Sequence, residues 1–199
     1  MRFPVRTLLI TLLALWLAGP HASAQRRVPE LWQAAFDGDL EGVKRAAARG
    51  DSVNAQGRGG FSALLAAARN GHLDVVQYLV EHGADINKRD NNRDKTPLTA
   101  AAFKGHADII EYLLQHGAEI NDQSINKWTA LHDAAYIGCF ECVKALVDHK
   151  ADLHIRNERG ESAAETARRG ETDAVKRGQT NASPEDYRRV IEYIREHGG

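Results

Sequence analysis

The sequence has no surplus of either charge. Its 26 basic residues face 27 acidic ones, a formal net charge of −1. General nucleic-acid affinity needs a basic excess on some face, so this balance argues against a nucleic-acid partner. Long apolar runs are scarce too, for nothing beyond Leu8–Ala18 is apolar enough to suggest a membrane span. There are two cysteines in 199 residues. There is no G-x-S-x-G, no phosphate-binding P-loop, no dinucleotide fingerprint and no H-E-x-x-H. These gaps remove the common routes to hydrolysis, nucleotide chemistry and zinc catalysis. The chain reads as a non-enzyme without cofactor or metal.

The single apolar run has a tripartite setting. Arg2 and Arg6 precede Leu8–Ala18, Pro20 follows, and Ala22-Ser23-Ala24 gives a small-x-small pattern. That layout predicts a secretory signal peptide over residues 1–24, cleaved before Gln25. The run is too short to span a bilayer, which takes roughly 20 residues. Removing it takes away two basic and no acidic residues, leaving a charge of −3. The expected protein is periplasmic or secreted, with no membrane span after cleavage.

What the chain does have is a repeat. Val75–Gly83 (VVQYLVEHG) aligns with Ile109–Gly117 (IIEYLLQHG) and with Cys142–Lys150 (CVKALVDHK). Gly38, Gly71, Gly105 and Gly138 recur at spacings of 33, 34 and 33. A period in this range means stacked units, each too small to bury its own apolar face. Within a unit, Ser62, Thr96, Thr129 or Ser162 stands where a short helix would begin, offering an oxygen to an unpaired N–H. Alanines follow, then a glycine that can end the helix in the left-handed region. A second helix buries one face through residues such as Leu73, Val76, Leu79 and Val80. Lys150 occupies the place of Gly83 and Gly117 and would be strained there.

The motifs TPLTAA (96–101) and TALHDA (129–134) resemble the ankyrin T-P-L-H-x-A signature, and Gly83-Ala84-Asp85-Ile86-Asn87 is similar to the rest of that consensus. The resemblance implies an all-α ankyrin-repeat solenoid of about five helix-turn-helix units with projecting turn tips. It places an N-terminal cap repeat at 28–56 and further repeats at 57–89, 90–123 and 124–156. The last unit, 157–199, is expected to carry an insertion at 171–183 before a displaced cap helix starting near Ser183. One extra residue enters the third repeat near Asp90. Proteins of this kind bind other proteins.

The residues that the repeat does not require are then informative. Arg58, Phe61, Arg69, Arg93, Lys95, Phe103, Lys104, Trp128, Tyr136 and Ile137 fall on turn tips and at the ends of short helices. By family geometry they face solvent on the concave side. Large aromatics among arginines are what protein–protein hot spots are built from, so these ten form the expected partner-binding surface. The basic rim points to an acidic partner surface. The chain is expected to be a monomer that binds a folded partner across repeats two to four, inhibiting or protecting an extracytoplasmic enzyme.

Two rival readings use other features. Cys139-Phe140-Glu141-Cys142 is a C-x-x-C opening a helix, where a thiolate is stabilised, which would suit a thiol–disulfide oxidoreductase. The sequence lacks the βαβ context of that chemistry. The repeat register leaves open two inert thiols or a local disulfide. The other rival is a scaffold that self-associates through the aromatic surface. Histidines at 82, 116, 149 and 197 end second helices a repeat apart, too far to share a zinc ion.

Overall fold

A computed structural model describes residues 29–178 and 182–198. The signal-peptide segment 1–24, the cleavage point before Gln25 and the first residue of the cap repeat lie outside them. The described residues form ten α-helices and no strand, arranged as stacked pairs. The pairs are α1 (Glu30–Asp37) with α2 (Leu40–Ala48), α3 (Ala63–Asn70) with α4 (Leu73–Glu81), and α5 (Pro97–Lys104) with α6 (Ala107–Gln115). Then come α7 (Ala130–Tyr136) with α8 (Phe140–Asp148), and α9 (Ala163–Arg177) with α10 (Pro184–Glu196).

The short helices begin as their cap residues dictate. The hydroxyls of Ser62, Thr96 and Thr129 accept from the N–H groups of Leu65, Thr99 and His132 at 3.1, 3.3 and 3.4 Å. Each pairs a donor that the helix itself cannot satisfy. Gly71, Gly105 and Gly138 stop these helices with φ of 84°, 81° and 71°. Ala66–Ala68, Ala100–Ala102 and Ala134–Ala135 are buried between successive short helices. Behind them the second helices bury Val75, Val76 and Leu79, then Ile109, Ile110 and Leu113, then Cys142, Val143 and Leu146. Each large aliphatic side chain so buried stabilises by about 1.5–3 kcal/mol relative to exposure.

Asparagines tie the units together at the other edge. Asn54 Oδ1 accepts from the Asp85 N–H at 2.8 Å, Asn87 from Glu119 at 3.0 Å, and Asn121 from Asp152 at 2.9 Å. The rings of His72 and His106 reach the carbonyls of Phe36 and Arg69 in the preceding repeat, at 3.2 and 3.1 Å. In the fourth repeat Cys139 takes that position.

Lys150 is left-handed, with φ of 68°. A side chain there costs on the order of 1 kcal/mol, partly offset by the freedom that glycine adds to the unfolded chain. Lys150→Gly is therefore expected to stabilise the protein by about 0.5 kcal/mol in urea unfolding; a loss of stability would contradict the strain.

In the fifth unit the cap helix is displaced to Pro184, and the first part of the expected insertion is helical. Residues 171–177, assigned to an insertion, continue α9 without a break, and the helix ends only at the left-handed Gly178, with φ of 63°. The reason lies in one position. Glu171 stands where Gly38, Gly71, Gly105 and Gly138 end the earlier short helices, so nothing stops this one. Helix α10 follows, with Asp186 Oδ2 accepting from the Ser183 N–H at 2.8 Å and Ser183 Oγ from the Asp186 N–H at 3.2 Å. Its buried Tyr187, Val190 and Ile194 close the end of the stack.

Candidate functional site

Between the short helices runs a row of turns, each closed by a backbone bond: Gly57 to Phe61, Asp90 to Lys95, Ser124 to Trp128 and Asn157 to Glu161, at 2.9–3.0 Å. The second of these is one residue longer than the others, which locates the extra residue of the third repeat at the tip. Asp90 is buried there, and its Oδ1 accepts from the N–H groups of Asn92 and Arg93 at 2.9 and 2.7 Å. Neighbouring tips are joined as well, Ile125 N–H to Arg93 O at 3.2 Å and Glu158 N–H to Asn126 O at 3.0 Å.

The tips and the ends of the short helices enclose a groove with two connected hollows. One, of about 260 Å³, is lined by Phe61, Leu65, Arg69, Arg93, Lys95 and Phe103 among others. The next, of about 140 Å³, shares Arg93, Lys95 and Phe103 and adds Ile125, Trp128 and Tyr136. The structure thus brings eight of the ten sequence-selected residues to this groove or its rim; Ile137 is not among them, and the Arg58 side chain lies outside what the structure describes. Phe61, Phe103, Trp128 and Tyr136 are half-buried, neither sealed between repeats nor free. Cations lie over the rings: Arg69 is 5.9 Å from the centre of Phe61, and Lys95 and Lys104 are 4.7 and 5.7 Å from that of Phe103. Arg58 belongs to the short 3₁₀ turn Arg58–Gly60 at the first tip.

Ile137 sits in a different hollow. It packs back toward Gly105, and the hollow it lines lies with Gly170, Ala182 and Tyr187, away from the groove. Position 137 is one residue past the groove row, which in a helix turns its side chain by about 100°.

Several groove residues were not selected from the sequence. Arg169 lies over both Trp128 and Tyr136, its guanidinium 5.2 and 5.1 Å from the ring centres, and it is held by Glu161. The signal was available: Phe36, Arg69, Phe103, Tyr136 and Arg169 occupy one repeat position. Phe36 extends the row and is 42% exposed; Ile125, a tip residue the sequence did point to, is 62% exposed. Tyr136 is further tied to the last repeat, its hydroxyl donating to Asp173 Oδ2 at 3.1 Å.

Lys95 does not present a free charge. Its ammonium bonds both oxygens of Asp133 at 2.9 and 2.8 Å, with side-chain exposures of 18% and 2%. Burial pushes the Asp133 carboxyl up to about 6, against the pull of Lys95 and the nearby Arg93. A raised acid contributes stability that is fully present below its unfolded pKa, near 4, and is lost as pH rises through 6. Between pH 4 and 7 wild type should therefore lose stability relative to Asp133→Asn, on the order of 2 kcal/mol. Parallel pH profiles of urea unfolding for the two proteins would contradict this. Burial lowers the pKa of His132 beside it, whose Nε2 meets the Glu161 carbonyl at 3.1 Å.

Cys139 and Cys142 are joined by a disulfide, Cα atoms 5.3 Å apart, so the inert-thiol reading gives way to the staple. Cys142 is fully buried and Cys139 lies near Gly105, at the joint between the third and fourth repeats. The Nδ1–H groups of His82 and His116 donate to the Tyr78 and Tyr112 carbonyls of their own helices, both at 2.7 Å. No group of three metal-ligating side chains is present among the described residues, nor is any described helix long and apolar enough to cross a membrane.

The stacked helix pairs and projecting tips define a helical repeat solenoid, the architecture of a binding module. Family comparison gives it a name: residues 31–124 match ankyrin repeats (3 copies) and residues 113–167 match ankyrin repeats (many copies). The chain belongs to the ankyrin-repeat family, and as such is a protein–protein interaction module. It is 35% identical to mouse Ankyrin repeat and SAM domain-containing protein 6, over 72% of this chain and 13% of that protein. It is 32% identical to the bovine Mitochondrial disaggregase, over 71% of this chain and 21% of that one. Human Ankyrin repeat domain-containing protein 39 is 41% identical over 27% of this chain and 30% of its own length. The chain spans less than a third of each of these relatives.

Proposed function

We propose that this protein is exported and docks a folded partner protein in the groove of repeats two to four, inhibiting or protecting an extracytoplasmic enzyme. One observation carries the docking: four aromatic rings from three repeats line two joined hollows and remain half-exposed. Monomeric proteins rarely leave large contiguous apolar patches open, and central aromatics dominate interface energetics. Export is supported by the tripartite segment ending at Ala24 and by the Cys139–Cys142 disulfide, which suits an oxidising compartment. The experiment is capture of the partner from the exported fraction by wild type and by Phe103→Ala. Capture should fail for the variant while its helical spectrum stays unchanged; equal capture by both would move the site elsewhere. N-terminal sequencing of the mature protein should begin at Gln25, and retention of Met1 in an intracellular fraction would overturn export.

A further inference from the structure

Resting on the docking reading, we infer that the hollow between the second and third repeats is the anchor of the interface, and that it takes an acidic segment of the partner, an apolar side chain flanked by carboxylates. Phe61 and Phe103 form its walls, Leu65 and Ala100 lie in its floor, and Arg69 and Arg93 stand at its mouth. An apolar side chain fits between the rings, where it is removed from water.

The charges decide what flanks it. Arg69 and Arg93 are exposed, and neither has an ion-pair partner among the described residues. Lys95 is spent on Asp133, and the one carboxylate lining the hollow, Asp90, is buried with Oδ1 occupied by two backbone N–H groups. The extra residue of this turn, absent from the turns 57–61 and 124–128, puts Asn92 and Arg93 at the mouth. Two free guanidiniums beside an apolar slot match carboxylates, which they can hold by paired hydrogen bonds. A nucleic acid would offer phosphates instead, but a chain of 26 basic and 27 acidic residues has no basic excess to follow a backbone.

Isotope-labelled protein titrated with the peptide acetyl-EEFEE-amide tests this by NMR, with acetyl-KKFKK-amide and an oligothymidylate as the other arms. The acidic peptide should shift the amide signals of Phe61, Arg93 and Phe103 and bind at least tenfold tighter than the basic one. Raising salt should weaken it, because pairs at an exposed mouth are screened. Arg69→Gln combined with Arg93→Gln should abolish the preference with no change in melting temperature, since both side chains are exposed. Equal or tighter binding of the basic peptide or of oligothymidylate, shifts elsewhere, or no shifts at all would overturn the assignment. If Phe103→Ala loses the partner but the double arginine variant keeps full capture, this inference alone fails. If Phe103→Ala keeps capture, the docking reading itself fails.

Discussion

Replacing Phe103 with alanine should weaken partner binding at least thirtyfold and leave the fold intact. Phe103 is the ring common to both hollows, so its loss opens the middle of the groove to water. Central, desolvated aromatics are the residues whose truncation costs about 2 kcal/mol or more, and that figure is a factor of about 30 in affinity. The fold should tolerate the change because Phe103 is half-exposed at the end of α5, whereas Leu98, Ala101 and Ala102 carry that helix's packing. Trp128 and Tyr136 would give a less readable answer. Both lie beneath Arg169, and Tyr136 is bonded to Asp173, so truncating them disturbs the fifth repeat together with the surface. Titration of the captured partner by calorimetry, with urea unfolding of the variant alongside, separates affinity from stability. A variant within threefold of wild type in affinity would remove Phe103 from the interface.

Gly170→Ala should cost about 3 kcal/mol of stability, concentrated at one end of the molecule. A β-carbon built on Gly170 would stand 2.0 Å from the Tyr136 carbonyl oxygen, a backbone atom that cannot swing aside. Helices α7 and α9 must then separate, and in a stack where each repeat touches only its neighbours the damage stays local. Amide exchange should rise in α9 and α10 while α3 to α6 remain protected. Uniform loss of protection, or none, would show that the close approach does not hold the last repeat in place.

Legibility followed the period. Positions that recur every 33 or 34 residues could be assigned because each copy plays the same physical role. A hydroxyl starts a short helix, a glycine stops it, and an aliphatic pair buries the second helix. Where a copy lacked one of these residues, the reading faltered. With Glu171 in the glycine's place, the polar insertion gave no sign that it would begin as more helix, although low apolar content does not prevent a helix that packs through Thr166, Ala167 and Gly170. The groove was partly legible for the converse reason. Phe61, Phe103, Trp128 and Tyr136 stood out as rings that the repeat itself does not need. Asp133 did not, because its pairing with Lys95 across repeats leaves no mark at fixed spacing, whereas Arg169 could have been found from the repeat position it shares with Arg69 and Tyr136. Ile137 stands one residue past Tyr136, enough to turn it toward the repeat joint.

Docking in the groove requires its rings to be covered when the partner is bound. Hydroxyl-radical footprinting of the free protein and the complex measures that directly, with Tyr78 and Tyr112 on the second helices as internal references. Oxidation of Phe61, Phe103, Trp128 and Tyr136 should fall in the complex while the two reference tyrosines stay as reactive as before. Unchanged groove rings, with protection on Tyr78 and Tyr112 instead, would place the partner on the opposite face.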